Sequence, residues 1–581
     1  MQRRSKLILL CCFILVMTAV VPLIRAQDAN VDVYGRELPA DAAPYDMQVW
    51  TEMCRSDSTQ TAFMAATTVY QRICQPGASD VFADSLVNLD ENLNIIPAAA
   101  DSWEASEDGL TWTFHLRPGQ VWSDGTPLTA NDWVATYQWM ADPANAYDFV
   151  WMWQGIIKNW SEAVAGEVKP DEIGMTAVDD NTLAITTVGP APYLPATMFF
   201  WPPLQAKALT EIGPNYQLDP ATSVSSGPFI LKEFKPGESI LLEANPTYTG
   251  FRKPYLKQIR GLYGDKLNGS FLAFQNHDID RVGYEVLSPA DFEIIKNDES
   301  LISHYLPNPG DFRTDYLLMD TYTPPFDNLK VRQAFAHAVD REAIVSKVIN
   351  ANFNLALPAY SFLMPGFPAS DTAGDLHQYQ QYDCDMAKQL FADAGYPNGE
   401  GFPALELKLR GESDFNAQRF IAAASSISDC LGVTITINNM ETATYMTALN
   451  ARPTTIQFGA ISYGMDYLDP ANMLGVWVSS GRHSWRNADF DKLVTDAGVF
   501  VGDPVERFQM YKDAEKILVE DVGGIFLDHR IQGDLFQPYI AGDCFRPNAQ
   551  GVSSWEWGND WCWGAIYVTK DVANFDTFRT R

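Results

Sequence analysis

The residues of this chain with the clearest chemical potential are its eight cysteines. Cys11 and Cys12 fall inside an N-terminal apolar run; Cys54, Cys74, Cys384, Cys430, Cys544 and Cys562 lie beyond it. An even count in an exported chain points to disulfides, and proximity in sequence favours 54–74, 384–430 and 544–562. Other connectivities stay open, as does burial of the same residues as thiols. No CxxC or Cys/His cluster suggests zinc or a redox couple, and none of the seven histidines has another four residues away, so neither a metal nor a cofactor is expected. The chain has no GxSxG elbow, no HExxH and no GxxxxGK[ST] loop, which removes support for a serine hydrolase, a zincin or a P-loop enzyme. A secreted hydrolase working through paired carboxylates stays open only because 73 acidic residues supply chance candidates. The sixteen tryptophans, crowded between Trp103 and Trp160 and between Trp555 and Trp563, could stack on sugar faces or simply fill cores.

The ends and the charge set the surroundings in which such residues would work. Arg3-Arg4-Ser5-Lys6, an unbroken apolar run from Leu7 to Val21, Pro22 and small Ala26 read as a secretory signal peptide over residues 1–26, cleaved before Gln27. An uncleaved anchor is the alternative reading. Cys11 and Cys12 come too early in the run to be lipidated, and the paired arginines lack a twin-arginine context. An extracytoplasmic location follows, in a periplasm or at the outer face of a membrane. Beyond this run no segment approaches a membrane span. The net charge of −32 would repel a phosphate backbone, which excludes nucleic acid as a partner. With 581 residues, 46% of them apolar, the chain can bury several cores, and two or three domains are expected.

The elements that position side chains mix helix and strand throughout, which implies an α/β fold. In Ser102–Trp133, Glu107-Asp108-Gly109 forms a tight turn. Trp112, Phe114 and Leu116 alternate with Thr111, Thr113 and His115, and Pro118-Gly119 ends the strand. A second turn at Asp124-Gly125-Thr126-Pro127 leads to a helix capped by Thr129. Val331, Ala334, Phe335, Ala338 and Val339 recur at helical spacing after Pro325-Phe326-Asp327-Asn328, and Asp503-Pro504-Val505-Glu506 opens a late helix carrying Phe508, Tyr511, Ile517 and Leu518.

The order of these segments, with Ser225-Ser226-Gly227-Pro228-Phe229 and Asn245-Pro246-Thr247-Tyr248 between them, resembles the family 5 extracellular solute-binding proteins of ABC importers, the oligopeptide- and dipeptide-binding proteins. The resemblance runs from about Val69 to about His529. It implies a two-lobed periplasmic-binding-protein-like fold of class II with an extra domain inserted in lobe one. Lobe one then takes residues 27–78, 224–318 and 533–581, the inserted domain 79–223 and lobe two 319–532. It further implies a monomer that encloses its ligand between closing lobes and delivers it to ABC permease and ATPase subunits. Peptide binders of the family hold the ligand's α-ammonium with an aspartate beside an aromatic residue. The matching stretch, Ser462 to Pro470, puts Asp466 at the aspartate, Tyr463 at an aromatic position often filled by Trp, and Tyr467 next to it. Asp469 before Pro470 reads as a turn former. Other members bind oligosaccharides, and for such a ligand Trp485, in the polar stretch Gly481–Trp485, is the candidate stacking platform. Nickel and haem binders also occur, and His483 is the one histidine of interest toward them. Peptide is therefore the expected ligand and oligosaccharide the alternative.

Overall fold

The computed structural model describes residues 30–55, 81–90, 92–147, 149–199, 201–264, 269–350, 353–546 and 560–571. The expected signal peptide lies outside them. Among the described residues no helix is long and apolar enough to cross a membrane.

Three sheets carry the two lobes. The first places Val49–Arg55 parallel to Gln258–Gly264, with Ser239–Ala244 and Phe229–Lys235 following antiparallel. Its apolar face packs Trp50, Phe229, Leu242 and Ile259 against Val81, Phe82 and the late residues Tyr539, Trp563 and Ile566. Stretches of chain far apart in sequence thus build one core, and it includes Val81 and Phe82 from the range expected for the inserted domain. The largest sheet has six strands in the order Ala356–Pro358, Gly524–Arg530, Thr314–Met319, Phe458–Tyr463, Leu405–Arg410 and Ile435–Met440. Its strand Thr314–Met319 is buried at every position, as a strand covered on both faces must be. A small antiparallel sheet, Arg281–Gly283, Gln532–Phe536 and Tyr305–Asn308, links the two. Here the chain crosses twice: residues 309–313 lead from Tyr305–Asn308 into Thr314–Met319, and Ile531 joins Gly524–Arg530 to Gln532–Phe536. Because Thr314–Met319 is hydrogen-bonded along its length in the six-stranded sheet, the first crossing comes earlier than the boundary expected at Met319.

A buried charge cluster marks this crossing. Arg530 Nε and Nη2 donate to Asp315 at 2.6 and 2.8 Å, and Arg419 donates to both Asp315 and Asp528. Burial pushes Asp528 up to about 7, against the pull of Arg419. Burial opposes ionisation of Asp315 as well, yet Arg419 and Arg530 together hold it below the usual carboxylate range.

The intervening domain is a four-stranded antiparallel sheet, Ala100–Ala105, Thr111–Leu116, Thr182–Thr186 and Met175–Asp179, with the helix Ala130–Ala141. The hairpin lies where its turn residues put it. Gly109 adopts φ +69°, and Phe114 and Leu116 are buried. Thr129 precedes the helix and its N–H donates to Asp132 at 2.8 Å. Part of the tryptophan crowding here is core, with Trp122, Trp133, Trp153 and Trp160 buried and Trp151 exposed: Trp153 packs 5.1 Å from Trp160 and 4.4 Å from Trp201, each such pair adding about 0.5–1.5 kcal/mol beyond its burial.

The helix Leu329–His337 buries Val331, Ala334 and Phe335, and Ala338 and Val339 just beyond it are buried too. The late helix Pro504–Glu520 is capped by Asp503, which accepts from Val505 N at 2.8 Å. Cys384 and Cys430 are joined, fastening Cys384–Asp393 to Asp414–Leu431. Closing a loop of this length contributes roughly 4 kcal/mol in the chain-entropy account. Cys54 is disulfide-bonded, and its expected partner Cys74 lies outside the described residues. The expected 544–562 bridge is not formed. Both residues are buried thiols in the lobe-one core, packed as small apolar groups among Trp50, Tyr539 and Trp563.

Candidate ligand-binding site

The turn between the strand Phe458–Tyr463 and the helix Pro470–Gly475 gathers most of the site residues expected from sequence. Asp469 closes the turn. Its carboxylate caps the helix through Ala471 N at 2.9 Å and takes two hydrogen bonds from Arg507, at 2.7 and 2.8 Å, with both side chains only 7% exposed. This pair is architectural, as a turn-forming aspartate should be.

Asp466 is held differently. Tyr463 Oη donates to its Oδ2 at 2.7 Å and Asn472 Nδ2 donates to the same oxygen at 3.0 Å, while Asp466 N–H reaches Asn472 Oδ1 at 2.8 Å. Both side-chain donors are neutral, and Oδ1 accepts no hydrogen bond among the described residues. The carboxylate is half-buried, and burial pushes its pKa up, with Asn472, Tyr463 and Arg482 pulling the other way. The hydroxyl of Tyr463 is pushed well up by burial and then by Asp466, so it stays a donor.

The first crossing closes in on this turn. Met465 N–H donates to Asp311 O at 2.7 Å, and a Cβ on Gly464 would fall 2.0 Å from Asp311 Oδ2, so only glycine admits that approach. Asp311 is paired with Arg313, which also donates to Ser462 Oγ at 3.0 Å. Arg482 completes the cluster, its guanidinium 5.5 Å from the centre of the Tyr463 ring.

Two expected contacts are committed to packing. Tyr467 is 7% exposed and stacks on Tyr193 of the intervening domain, centroids 5.6 Å apart and planes 11° from parallel. One of its faces is therefore taken by another domain. Trp485 does not stand in an open polar loop, and it offers no face to a sugar. It is 1% exposed, packs on Phe490 at 5.0 Å and donates to Asp521 Oδ2 at 2.6 Å. The adjacent charged residues suggested exposure, but the indole turns inward to fill the lobe-two core. His483 is likewise buried, shares a hydrogen bond with Tyr316 Oη at 3.0 Å, and is kept neutral by burial and by Arg482 and Arg452. Among the described residues no group of three His, Cys, Asp or Glu side chains could hold a metal. Sequence reasoning missed Asn472, Asp311, Arg482 and Tyr193, none of which carries a motif of its own.

With this fold and turn in place, comparison with known proteins decides the family. A model of the bacterial extracellular solute-binding proteins, family 5 Middle, matches residues 94–485. The chain belongs to this family. It is 29% identical to the periplasmic oligopeptide-binding protein OppA of Salmonella typhimurium over 458 residues, 77% of this chain and 81% of that one. It is 28% identical to the probable deoxycholate-binding periplasmic protein YgiS of Escherichia coli over 88% of this chain and 93% of that one. Among solved structures it resembles the periplasmic oligopeptide-binding protein OppAIV of Borrelia burgdorferi, with a TM-score of 0.65 at 26% identity, covering 85% of this chain and 96% of that one. This family 5 chain has the two-lobed α/β architecture of such proteins, and the family and these relatives are substrate-binding transport proteins rather than enzymes.

Proposed function

We propose that this protein is the extracytoplasmic substrate-binding component of an ABC importer, that it captures peptides between its lobes, and that Asp466 anchors the ligand's α-ammonium. The observation that carries the peptide reading is the state of Asp466: a half-buried carboxylate held by neutral donors, with one oxygen left for a cation. An ammonium arriving there gains a charge-assisted hydrogen bond of about 1.5–3 kcal/mol. The resemblance to oligopeptide-binding relatives supports the same ligand class. Closure around the ligand then creates the form that permease and ATPase subunits act on. The monomeric state and export by the N-terminal segment belong to this reading.

The oligosaccharide alternative loses its main support, since Trp485 and eight other tryptophans are fully buried. The likeness to YgiS makes a bile acid the more useful control. Calorimetric titration of the purified protein, unfolded and refolded to release carried ligand, tests the proposal against short peptides, cello-oligosaccharides and deoxycholate. Heat with peptides alone is expected. Heat with only the sugar or only the bile acid would replace the peptide reading.

A further inference from the structure

The Asp466 cluster contains one cation, Arg482, that makes no ion pair among the described residues, although its field reaches Asp466 and helps to hold that carboxylate ionised. Asp311 and Arg313 neutralise each other. Asp466, on the reading above, is neutralised by the ligand's ammonium. Arg482 has no ion pair and no side-chain hydrogen bond among the described residues; its only contact of note is the face of the Tyr463 ring. A second guanidinium, Arg452, donates to Gly481 O beside it and adds no negative charge. Once an α-ammonium sits on Asp466 and the lobes close, Arg482 is an uncompensated cation beside an enclosed ligand, a costly arrangement at low dielectric.

Arg482 and Asp466 share one tyrosine side chain, the guanidinium 5.5 Å from the ring centre and the carboxylate 2.7 Å from the hydroxyl. Those two contacts keep the guanidinium within about 11 Å of the carboxylate, and with a hydrogen bond taken up at each end one to two residues of extended chain, at about 3.5 Å each, fill the remainder. Arg is also the side chain best shaped to take a carboxylate through paired N–H donors.

We propose that Arg482 is a specificity-determining residue that receives a ligand carboxylate lying within one or two residues of the α-ammonium on Asp466. This rests on the peptide reading and narrows it to ligands whose ammonium and carboxylate are close together. Two sources meet that requirement: an acidic first side chain, or the C-terminal carboxylate of a dipeptide.

Titration with two matched pairs separates them. Glu-Ala-Ala amide against Gln-Ala-Ala amide varies only the first side chain, and Ala-Ala against Ala-Ala amide varies only the terminus. The charged member of at least one pair is expected to bind tenfold or more tightly than its neutral partner. R482Q should remove that ratio, R482K should retain part of it, and R482E should turn the preference toward Lys-Ala-Ala amide. Equal affinity within twofold in both wild-type pairs, or a ratio that survives R482Q, overturns the assignment while the peptide reading stands. Absence of binding by all four peptides overturns both. D466N separates the roles, since it should weaken every peptide alike and leave the charged-to-neutral ratio in place.

Discussion

Asp466 and Asp469 lie three residues apart in one turn, and the tertiary structure assigns them opposite electrostatic states. Asp469 is saturated: a buried guanidinium takes both of its oxygens and a helix N-terminus uses one of them again. Asp466 is held by a phenol and an amide, and among the described residues its other oxygen accepts no hydrogen bond. A carboxylate already neutralised by the protein has little to offer an incoming cation. One oriented by neutral dipoles keeps its charge for use. The contrast separates a residue that builds the turn from one that the turn presents.

The largest effect should come from breaking the saturated pair. Asp469→Ala leaves Arg507 charged and buried and uncaps Pro470–Gly475, and we expect about 3–5 kcal/mol of lost stability in urea unfolding. A loss below about 1 kcal/mol would mean that the pair is not the brace of this turn.

Glu515 extends the comparison to a third condition, a carboxyl that is buried without a cation. It accepts from Leu363 N at 2.7 Å, and burial pushes it up to about 8 from 4.5. A raised carboxyl pKa means that the folded state keeps its proton longer, so this group's contribution is intact below pH 4.5 and is lost as pH rises through 8. Glu515→Gln should therefore stabilise the protein by roughly 2–4 kcal/mol at pH 9 and much less at pH 4. Equal gains at both values would show that the group titrates normally.

Asp466→Asn keeps the shape and the acceptor for Tyr463 and Asn472 but removes the charge. Peptide affinity should fall by about 1.5–3 kcal/mol, or roughly 10- to 100-fold, with little change in melting temperature. Unchanged affinity for peptides with a free N-terminus would sink its assignment as the anchor.

The smallest effect concerns Tyr467, which the same turn delivers to another domain. A double-mutant cycle between Tyr193→Ala and Tyr467→Ala should give a coupling of about 0.5–1.5 kcal/mol. No coupling would make the stack incidental to how the domains meet.

How far the sequence could be read follows the range of the interactions. The hairpin turn at Gly109, the helix after Asn328 and the cap at Asp503 were legible because each depends on a few consecutive residues. The turn-forming role of Asp469 was legible for the same reason. The inward turn of Trp485 was not, because its partners Asp521 and Phe490 come from elements that say nothing about it locally. The separate thiols of Cys544 and Cys562 were also misread, since proximity in sequence says little about how two short helical turns aim their side chains.

By itself the sequence determined the fold class, the family resemblance and the aspartate at the centre of the candidate site, since periodicity, turn residues and ordered motifs survive without a third dimension. Only the tertiary structure decided which charges are already spent. Arg507 reaches Asp469 from another helix, Asp311 closes on Gly464 from the first crossing, and Arg482 lies over Tyr463 with no ion pair among the described residues. Charge balance depends on distances of a few ångströms between residues far apart in the chain, and local pattern does not encode those distances.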